Sequence, residues 1–410
     1  ASHINLMQYK KNKFHIENIS TEKLLKKFST PLYCYSYLKI KNNISSFKSY
    51  FRKVNPLICF SVKSNANLKI LKEINNLGCG ADVVSKGEMM MAIKAGIKTK
   101  KIVFSGIGKT YSELEFAISK KILLINVESI SEFQNIEKIA KIKNKKVDIG
   151  IRLNPNTDAK TLKQISTGKK ADKFGVGEKE FLQIVNYSKM SKFIELKCIS
   201  VHIGSQILNP KPYGKMLNVV KKLINKSQHK FEFVDLGGGM GIPYEKNSKK
   251  FNFKTYNYLI SKFLRGNNCK IIFEPGRCII GNAGILISKV IYIKKNKNKN
   301  FVILDAGMND LMRPALYGAK HQIIPTKKNN SKSNKKIEFV GPICESTDSF
   351  LITKKFQTLK EDDNIIICDV GAYGMTLSSN YNLRPRPAEI LIKNSKIQVI
   401  RKKQKIVNLI

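Results

Sequence analysis

Acidic residues are scarce in this 410-residue chain: 30 Asp and Glu stand against 74 Lys and Arg, a formal charge of +44. Such an imbalance raises the question of nucleic acid, because basic patches drive phosphate binding. The lysines, however, run the length of the chain, interleaved with Asn and Ile, and no basic-aromatic module, zinc finger or RNA-recognition signature gathers them. The bias reads as compositional drift, and no specific nucleic-acid partner is expected. Long apolar runs are missing too. Nothing approaches the eighteen or more residues of a membrane-spanning helix, so no membrane association is expected. The first residues, up to Met7, carry no signal-peptide apolar segment, and those before Met7 read as an appendage; a cytoplasmic location is the expectation. The eight cysteines include no Cys-x-x-Cys pair and no zinc spacing, so no metal is expected. Most of them fall in apolar runs, where a free thiol packs as a small hydrophobe.

What is present suffices for two cores. Hydrophobic residues make up 42% of a chain longer than a single core usually sustains. Lys63 is its most telling position. It closes the run Leu57-Ile58-Cys59-Phe60-Ser61-Val62 and precedes Ser64-Asn65-Ala66-Asn67, which reads as a turn. A lysine at the end of a buried strand is costly unless used, since desolvation penalises the ammonium. One use is imine formation with an aldehyde cofactor.

From Leu57 onward β-rich runs alternate with helical periodicity. Strands are expected at Leu57–Val62, Ala81–Ser85, Ile102–Ser105, Leu123–Val127, Val147–Leu153, Leu196–Ile203, Phe231–Leu236 and Ile271–Glu274. Helices are expected at segments such as Lys86–Ala95, Tyr111–Lys120, Ser131–Lys141, Lys179–Met190, Tyr213–Ser227 and Asn252–Leu264. Eight such units make a (β/α)8 barrel, and the polar residues fall at strand carboxyl ends, where a barrel builds its site. After about residue 282 strands recur without long helices between them, which predicts a second, mostly β domain. Two low-complexity tracts there, Lys294 to Asn300 and Lys327 to Lys336, read as solvated loops.

Several motifs follow in order: Phe60-Ser61-Val62-Lys63-Ser64-Asn65, His202-Ile203-Gly204-Ser205-Gln206, Gly237-Gly238-Gly239, Glu274-Pro275-Gly276-Arg277, Met312-Arg313-Pro314-Ala315-Leu316-Tyr317, Gly341-Pro342-Ile343-Cys344-Glu345-Ser346-Thr347-Asp348 and Gly371-Ala372-Tyr373-Gly374. Taken singly each has a structural reading. Glu-Pro-Gly-Arg is a turn, three glycines a flexible link, a strand-end histidine a satisfied polar residue, and the arginines ion-pair partners. Together, over nearly the whole chain, they resemble the diaminopimelate decarboxylase family, within the alanine-racemase-like, fold-type III class of pyridoxal-phosphate enzymes.

That resemblance implies a fold: a PLP-binding barrel over residues 36–281, a β domain over 282–410, and residues 1–35 joining the β domain. It implies a cofactor, pyridoxal 5'-phosphate, held by Lys63 through an imine. It places Glu274 at the pyridine nitrogen, His202 on the ring face with Ser205 nearby, and Gly238, Gly239, Gly276 and Tyr373 at the phosphate, with Pro275 and Arg277 in the same loop. Arg277, Arg313, Tyr317 and Tyr373 would contact substrate, Glu345 would take its distal ammonium, and Cys344 would return a proton. It also implies a homodimer in which the Cys344 loop completes the partner's site. The implied reaction is decarboxylation of meso-2,6-diaminopimelate to L-lysine. Ornithine, arginine and carboxynorspermidine decarboxylases are the near rivals, and the pair Arg313 and Glu345 argues against them by suiting a distal amino-acid head group. Alanine racemases usually set arginine at the pyridine nitrogen, where this chain has Glu274. A non-catalytic cofactor-binding or RNA-binding protein would have no use for Cys344 and Glu345.

Overall fold

The structure, a computed structural model, describes residues 5–154, 173–204, 206–242, 244 and 249–410. The chain forms two compact units, one of residues 44–242 and 250–276, the other of residues 1–43, 243–249 and 277–410.

The first unit is a barrel. Strands β1 (Leu57–Ser61), β2 (Gly80–Val83), β3 (Ile102–Phe104), β4 (Leu124–Val127), β5 (Val147–Leu153), β6 (Ile194–Val201), β7 (Phe233–Asp235) and β8 (Lys270–Phe273) pair in parallel in chain order. β8 then pairs with β1, Ile272 opposite Leu57, and closes the ring. Strands covered on both faces need apolar side chains at nearly every position, which is why they read as continuous runs. Cys59, Val103, Leu124, Cys198, Phe233 and Ile272 form one such core cluster. Helices Leu68–Asn76, Lys86–Lys94, Tyr111–Lys120, Ile130–Lys143, Glu178–Met190, Lys211–Ser227 and Phe253–Leu264 run between the strands. Their starts are specified locally. Asn67, Ser85, Thr110, Ser129 and Asn252 each accept a backbone N–H of the first turn, and Thr110 with Glu113 forms a reciprocal box. These caps pin the loops at the carboxyl ends of the strands. On β8, the rings of Phe47, Phe51 and Tyr256 lie with centroids between 4.6 and 5.8 Å from that of Phe273. Each such pair contributes about 0.5–1.5 kcal/mol beyond area burial, and together they fix the strand whose next residue is Glu274.

The second unit is mostly β. Its nine-stranded sheet runs Ser349–Thr353, Lys336–Val340, Lys299–Leu304, Gly284–Lys295, Leu32–Ser36, Ala388–Lys393, Lys396–Arg401, with Asn364–Ile367 pairing Gly284–Lys295 and Ile323–Pro325 pairing Asn364–Ile367. The fully buried strand Leu32–Ser36 sits between Gly284–Lys295 and Ala388–Lys393, so the N-terminal segment does join the sheet formed by the C-terminal part. Phe14, Ile16, Leu24, Leu32, Cys34, Ile285, Ile287, Ile366, Ile390 and Ile392 form its core.

One expectation is corrected here. The tract Lys294 to Asn300 is not a loop: Lys295 pairs with Asn300 across an antiparallel hairpin, and only Asn296 to Asn298 turn. The outer ends of both strands are half-exposed or exposed, so nothing demanded the apolar alternation that would have revealed them. Among the described residues no helix is long and apolar enough to cross a membrane.

Candidate active site

In the barrel unit, a single 3-10 turn, Val62–Ser64, follows β1 and carries Lys63. Ser64 Oγ donates to the Ser61 carbonyl at 2.7 Å, and the Ser61 N–H donates to the Pro275 carbonyl at 3.0 Å. The Glu274 N–H in turn donates to the Gly237 carbonyl at 2.7 Å. The lysine turn, the Glu274-Pro275-Gly276 segment and the glycine run are thus tied into one backbone frame. Gly238 is required there: a Cβ on it would sit 2.3 Å from the Glu274 carbonyl oxygen. Gly239 holds φ +85°, a conformation that L side chains rarely adopt. Gly276 packs against Ser64 in the same way.

Lys63 itself is exposed, which corrects the expectation of a desolvated lysine. The turn lifts its side chain out of the strand, so strand burial at Phe60 to Val62 does not extend to it. Its charge nevertheless reaches Asp82, Glu88, His202 and Glu274, on each of which it acts electrostatically. His202 is half-buried, and desolvation, then Lys63 and Arg152, hold it well below the usual imidazole range, so it is neutral.

Three buried carboxyl groups share this region: Asp82, Asp235 and Glu274. Burial, and then their mutual repulsion, push Asp82 and Glu274 well above the carboxylate range, while Asp235 is pushed up to about 6. Asp235 and Glu274 influence each other directly, and any hydrogen bond between the two carboxyls requires one of them to carry a proton. Asp235 Oδ1 also accepts the Gly237 N–H at 2.9 Å. Asp82 Oδ1, Asp235 Oδ2 and Glu274 Oε2 find no ordinary donor among the described residues. A donor-poor acid cluster of this kind suits a ligand that brings a cationic N–H, as protonated pyridoxal phosphate does. The glycine run, with no side chains in the way, leaves backbone available to a phosphate. The residues therefore fit the cofactor. Ser205 lies outside the described residues.

The second unit gathers the other predicted residues. Arg313 opens the short helix Arg313–Tyr317 and is buried; Tyr317, at its end, is exposed. The Arg313 guanidinium lies 4.2 Å over the ring of Tyr244, and its Nη1 donates to His321 Nε2 at 2.7 Å. Arg277 Nη1 donates to the Tyr244 hydroxyl at 2.7 Å, and its guanidinium lies 4.8 Å over the ring of Tyr373. Tyr373 is held at φ 57°, a left-handed conformation costly for an aromatic residue. Among the described residues no carboxylate forms an ion pair with Arg277 or Arg313, and the Nε of each is buried without an acceptor. Two guanidinium groups on the ring of Tyr244, with no carboxylate ion-paired to either among the described residues and Asp369 acting on Arg313 only electrostatically, make a receptor for an incoming carboxylate.

Cys344 and Glu345 are exposed on a loop whose base is organised by buried Asp348. Asp348 accepts N–H groups from Met308 and Ile343, each at 2.8 Å, and its own N–H donates to the Glu345 carbonyl at 3.1 Å. Glu345 accepts the Tyr381 hydroxyl.

Sequence reasoning missed Asp235, Tyr244 and His321 as contributors. Asp235 carried a signal, an acid closing a buried strand two residues before the glycines. His321 is one of five histidines and follows Tyr317 by four residues. Tyr244 offered none.

Comparison with known proteins agrees with this geometry. A family model for the pyridoxal-binding domain of pyridoxal-dependent decarboxylases matches residues 38–281. A diaminopimelate decarboxylase of Helicobacter pylori is 44% identical over 389 residues, 93% of this chain and 95% of the relative. That of Aquifex aeolicus is 40% identical over 403 residues, 97% and 95%. The crystal structure of diaminopimelate decarboxylase from M. jannaschii in co-complex with L-lysine matches at a TM-score of 0.94, 34% identity and 99% and 96% coverage. By its fold, its motifs and these relatives, the chain belongs to the diaminopimelate decarboxylase family of pyridoxal-dependent decarboxylases.

Proposed function

We propose that this protein decarboxylates meso-2,6-diaminopimelate to L-lysine and carbon dioxide with pyridoxal 5'-phosphate, the last step of lysine formation. The observation that carries the choice of substrate is the pair Arg277 and Arg313, two guanidinium groups without an ion-paired carboxylate among the described residues. A substrate with a plain amine at its far end leaves that pair unused; diaminopimelate brings a second carboxylate to it.

Lys63 holds the cofactor through its amine, while Glu274, coupled to Asp235, sets the protonation of the pyridine nitrogen. Neutral His202 presents a ring face without adding charge. Gly238, Gly239 and Gly276, with the Tyr373 hydroxyl, hold the phosphate, and Pro275 fixes their loop through Ser61. Bound pyridoxal phosphate supplies the electron-withdrawing ring that accepts the electron pair left when carbon dioxide departs.

The chain's own residues do the rest. Arg277 and Arg313, with Tyr317, anchor the distal carboxylate, and Glu345 takes the distal ammonium. Holding the far end fixes which carboxylate is lost, because orientation selects the scissile bond. The Cys344 thiol would return one proton to the carbon that lost carbon dioxide, and the Lys63 amine would hold the cofactor between turnovers. The exposure of Cys344 and Glu345 on one ordered loop supports a homodimer in which that loop serves the partner's site. The protein is cytoplasmic in this reading.

The test is carbon dioxide release by cofactor-loaded protein with meso-diaminopimelate, ornithine, arginine and carboxynorspermidine. Release with diaminopimelate, matched by lysine, is expected. Activity on another of the four alone would keep the barrel and Lys63 but overturn the roles of Arg313 and Glu345.

A further inference from the structure

Arg313 is a long, buried side chain at 5% exposure, and a guanidinium in that setting points wherever its acceptors direct it. Its one hydrogen-bond acceptor among the described residues is His321 Nε2, at 2.7 Å from Nη1. A guanidinium can only donate, so Nε2 must offer its lone pair and the ring proton must sit on Nδ1. Nδ1 lies 2.8 Å from the Cys368 carbonyl, which can only accept, so this single neutral tautomer satisfies both contacts. The Cys368 N–H donates back to the Gln322 carbonyl at 3.0 Å, which anchors the histidine's neighbour to the same strand end. Burial, then the Arg313 charge, lower His321 to about 3, so the acceptor persists across the working pH range. Tyr244 completes the frame, its ring beneath Arg313 and its hydroxyl held by Arg277. Arg313 Nε is left buried and without an acceptor.

We propose that His321 is a positioning residue: it takes Nη1 of Arg313 and thereby turns the rest of the guanidinium toward the carboxylate of the substrate's distal amino-acid head group. The inference rests on the role given to Arg313 above. Its consequence is selective. L-Lysine keeps that head group after decarboxylation, whereas 1,5-diaminopentane carries no carboxylate at all.

Two substitutions separate positioning from scaffolding. In His321→Gln the amide oxygen stands near Nε2 and can still accept from Arg313, while the bond to Cys368 is lost. In His321→Asn the amide nitrogen stands near Nδ1 and can still donate to Cys368, while the acceptor for Arg313 is lost. On the cofactor-loaded enzyme, kcat and KM for meso-diaminopimelate are measured with inhibition constants for L-lysine and 1,5-diaminopentane, and Arg313→Ala runs alongside. His321→Asn is expected to raise KM and the lysine constant about tenfold or more, the worth of a misplaced charge-assisted hydrogen bond. The diaminopentane constant should move less than about twofold, and His321→Gln should lie within about threefold of wild type in all of them. The opposite ranking of the two variants, or equal losses for lysine and diaminopentane, would make His321 structural and overturn the proposal. An unchanged His321→Asn beside an impaired Arg313→Ala overturns it alone. An unchanged Arg313→Ala overturns the role of Arg313 as well.

Discussion

Replacing Asp235 by asparagine changes one oxygen to an NH2 group and almost no volume. Asp235 is completely buried, and its carboxyl is raised from 3.8 to about 6, by burial first and by Asp82 among its neighbours. Because the folded value lies above the unfolded one, the native state prefers the protonated acid. The stability that this contributes is present at low pH and lost as pH rises through about 6. The whole gap, about two pH units, is worth about 3 kcal/mol, and about 1.4 kcal/mol of it falls between pH 5 and pH 8. Asparagine does not titrate, and its Oδ1 can keep the 2.9 Å bond from the Gly237 N–H. Its NH2 can donate to Glu274, which lowers the cost of ionising that residue and so acts in the same direction. Thermal unfolding of cofactor-free wild type and Asp235→Asn at pH 5 and pH 8 reads the difference. Wild type should lose about 3–6 °C more than the variant across that interval, taking about 2–4 °C per kcal/mol for a unit of this size. Parallel pH curves for the two proteins would refute the assignment of a raised, buried carboxyl to Asp235.

Lys63→Ala is expected to abolish covalent retention of the cofactor: borohydride treatment followed by mass spectrometry should leave an adduct on wild type and none on the variant. Cys344→Ala should bind cofactor normally, by absorbance, and lose about 10²–10⁴-fold in turnover, the range for removal of a general acid. An unchanged rate removes the thiol from the reaction. Gly238→Ala sets a methyl group 2.3 Å from the Glu274 carbonyl oxygen, where only backbone can yield. It should cost about 1–3 kcal/mol by urea unfolding and weaken cofactor affinity in titration; neither change would mean that the glycine run is merely a flexible link.

The barrel was legible because its signals are local. Parallel strands buried on both faces must be apolar at nearly every position, and Val147–Leu153 was bounded to the residue from that pattern alone. The helix Tyr111–Lys120 was also bounded correctly, between a Thr110–Glu113 box and a left-handed Lys121. The second unit was less legible, since its strands are short, half-exposed and paired with partners far along the chain. Leu32–Ser36 is sandwiched between strands that begin at residues 284 and 388, and no window of sequence contains both neighbours. Chemistry divides in the same way. The sequence by itself determined which groups are available: an amine after the first strand, an acid after the eighth, paired arginines, and a thiol beside a carboxylate. Tertiary structure alone decided their states. Lys63 proved exposed because a 3-10 turn intervenes, Glu274 is pushed toward its protonated form by burial and then by Asp235 arriving from a neighbouring strand, and Arg313 takes its direction from His321. Protonation and orientation depend on dielectric and on neighbours within a few ångströms, and those are set by which segments meet, not by residue type.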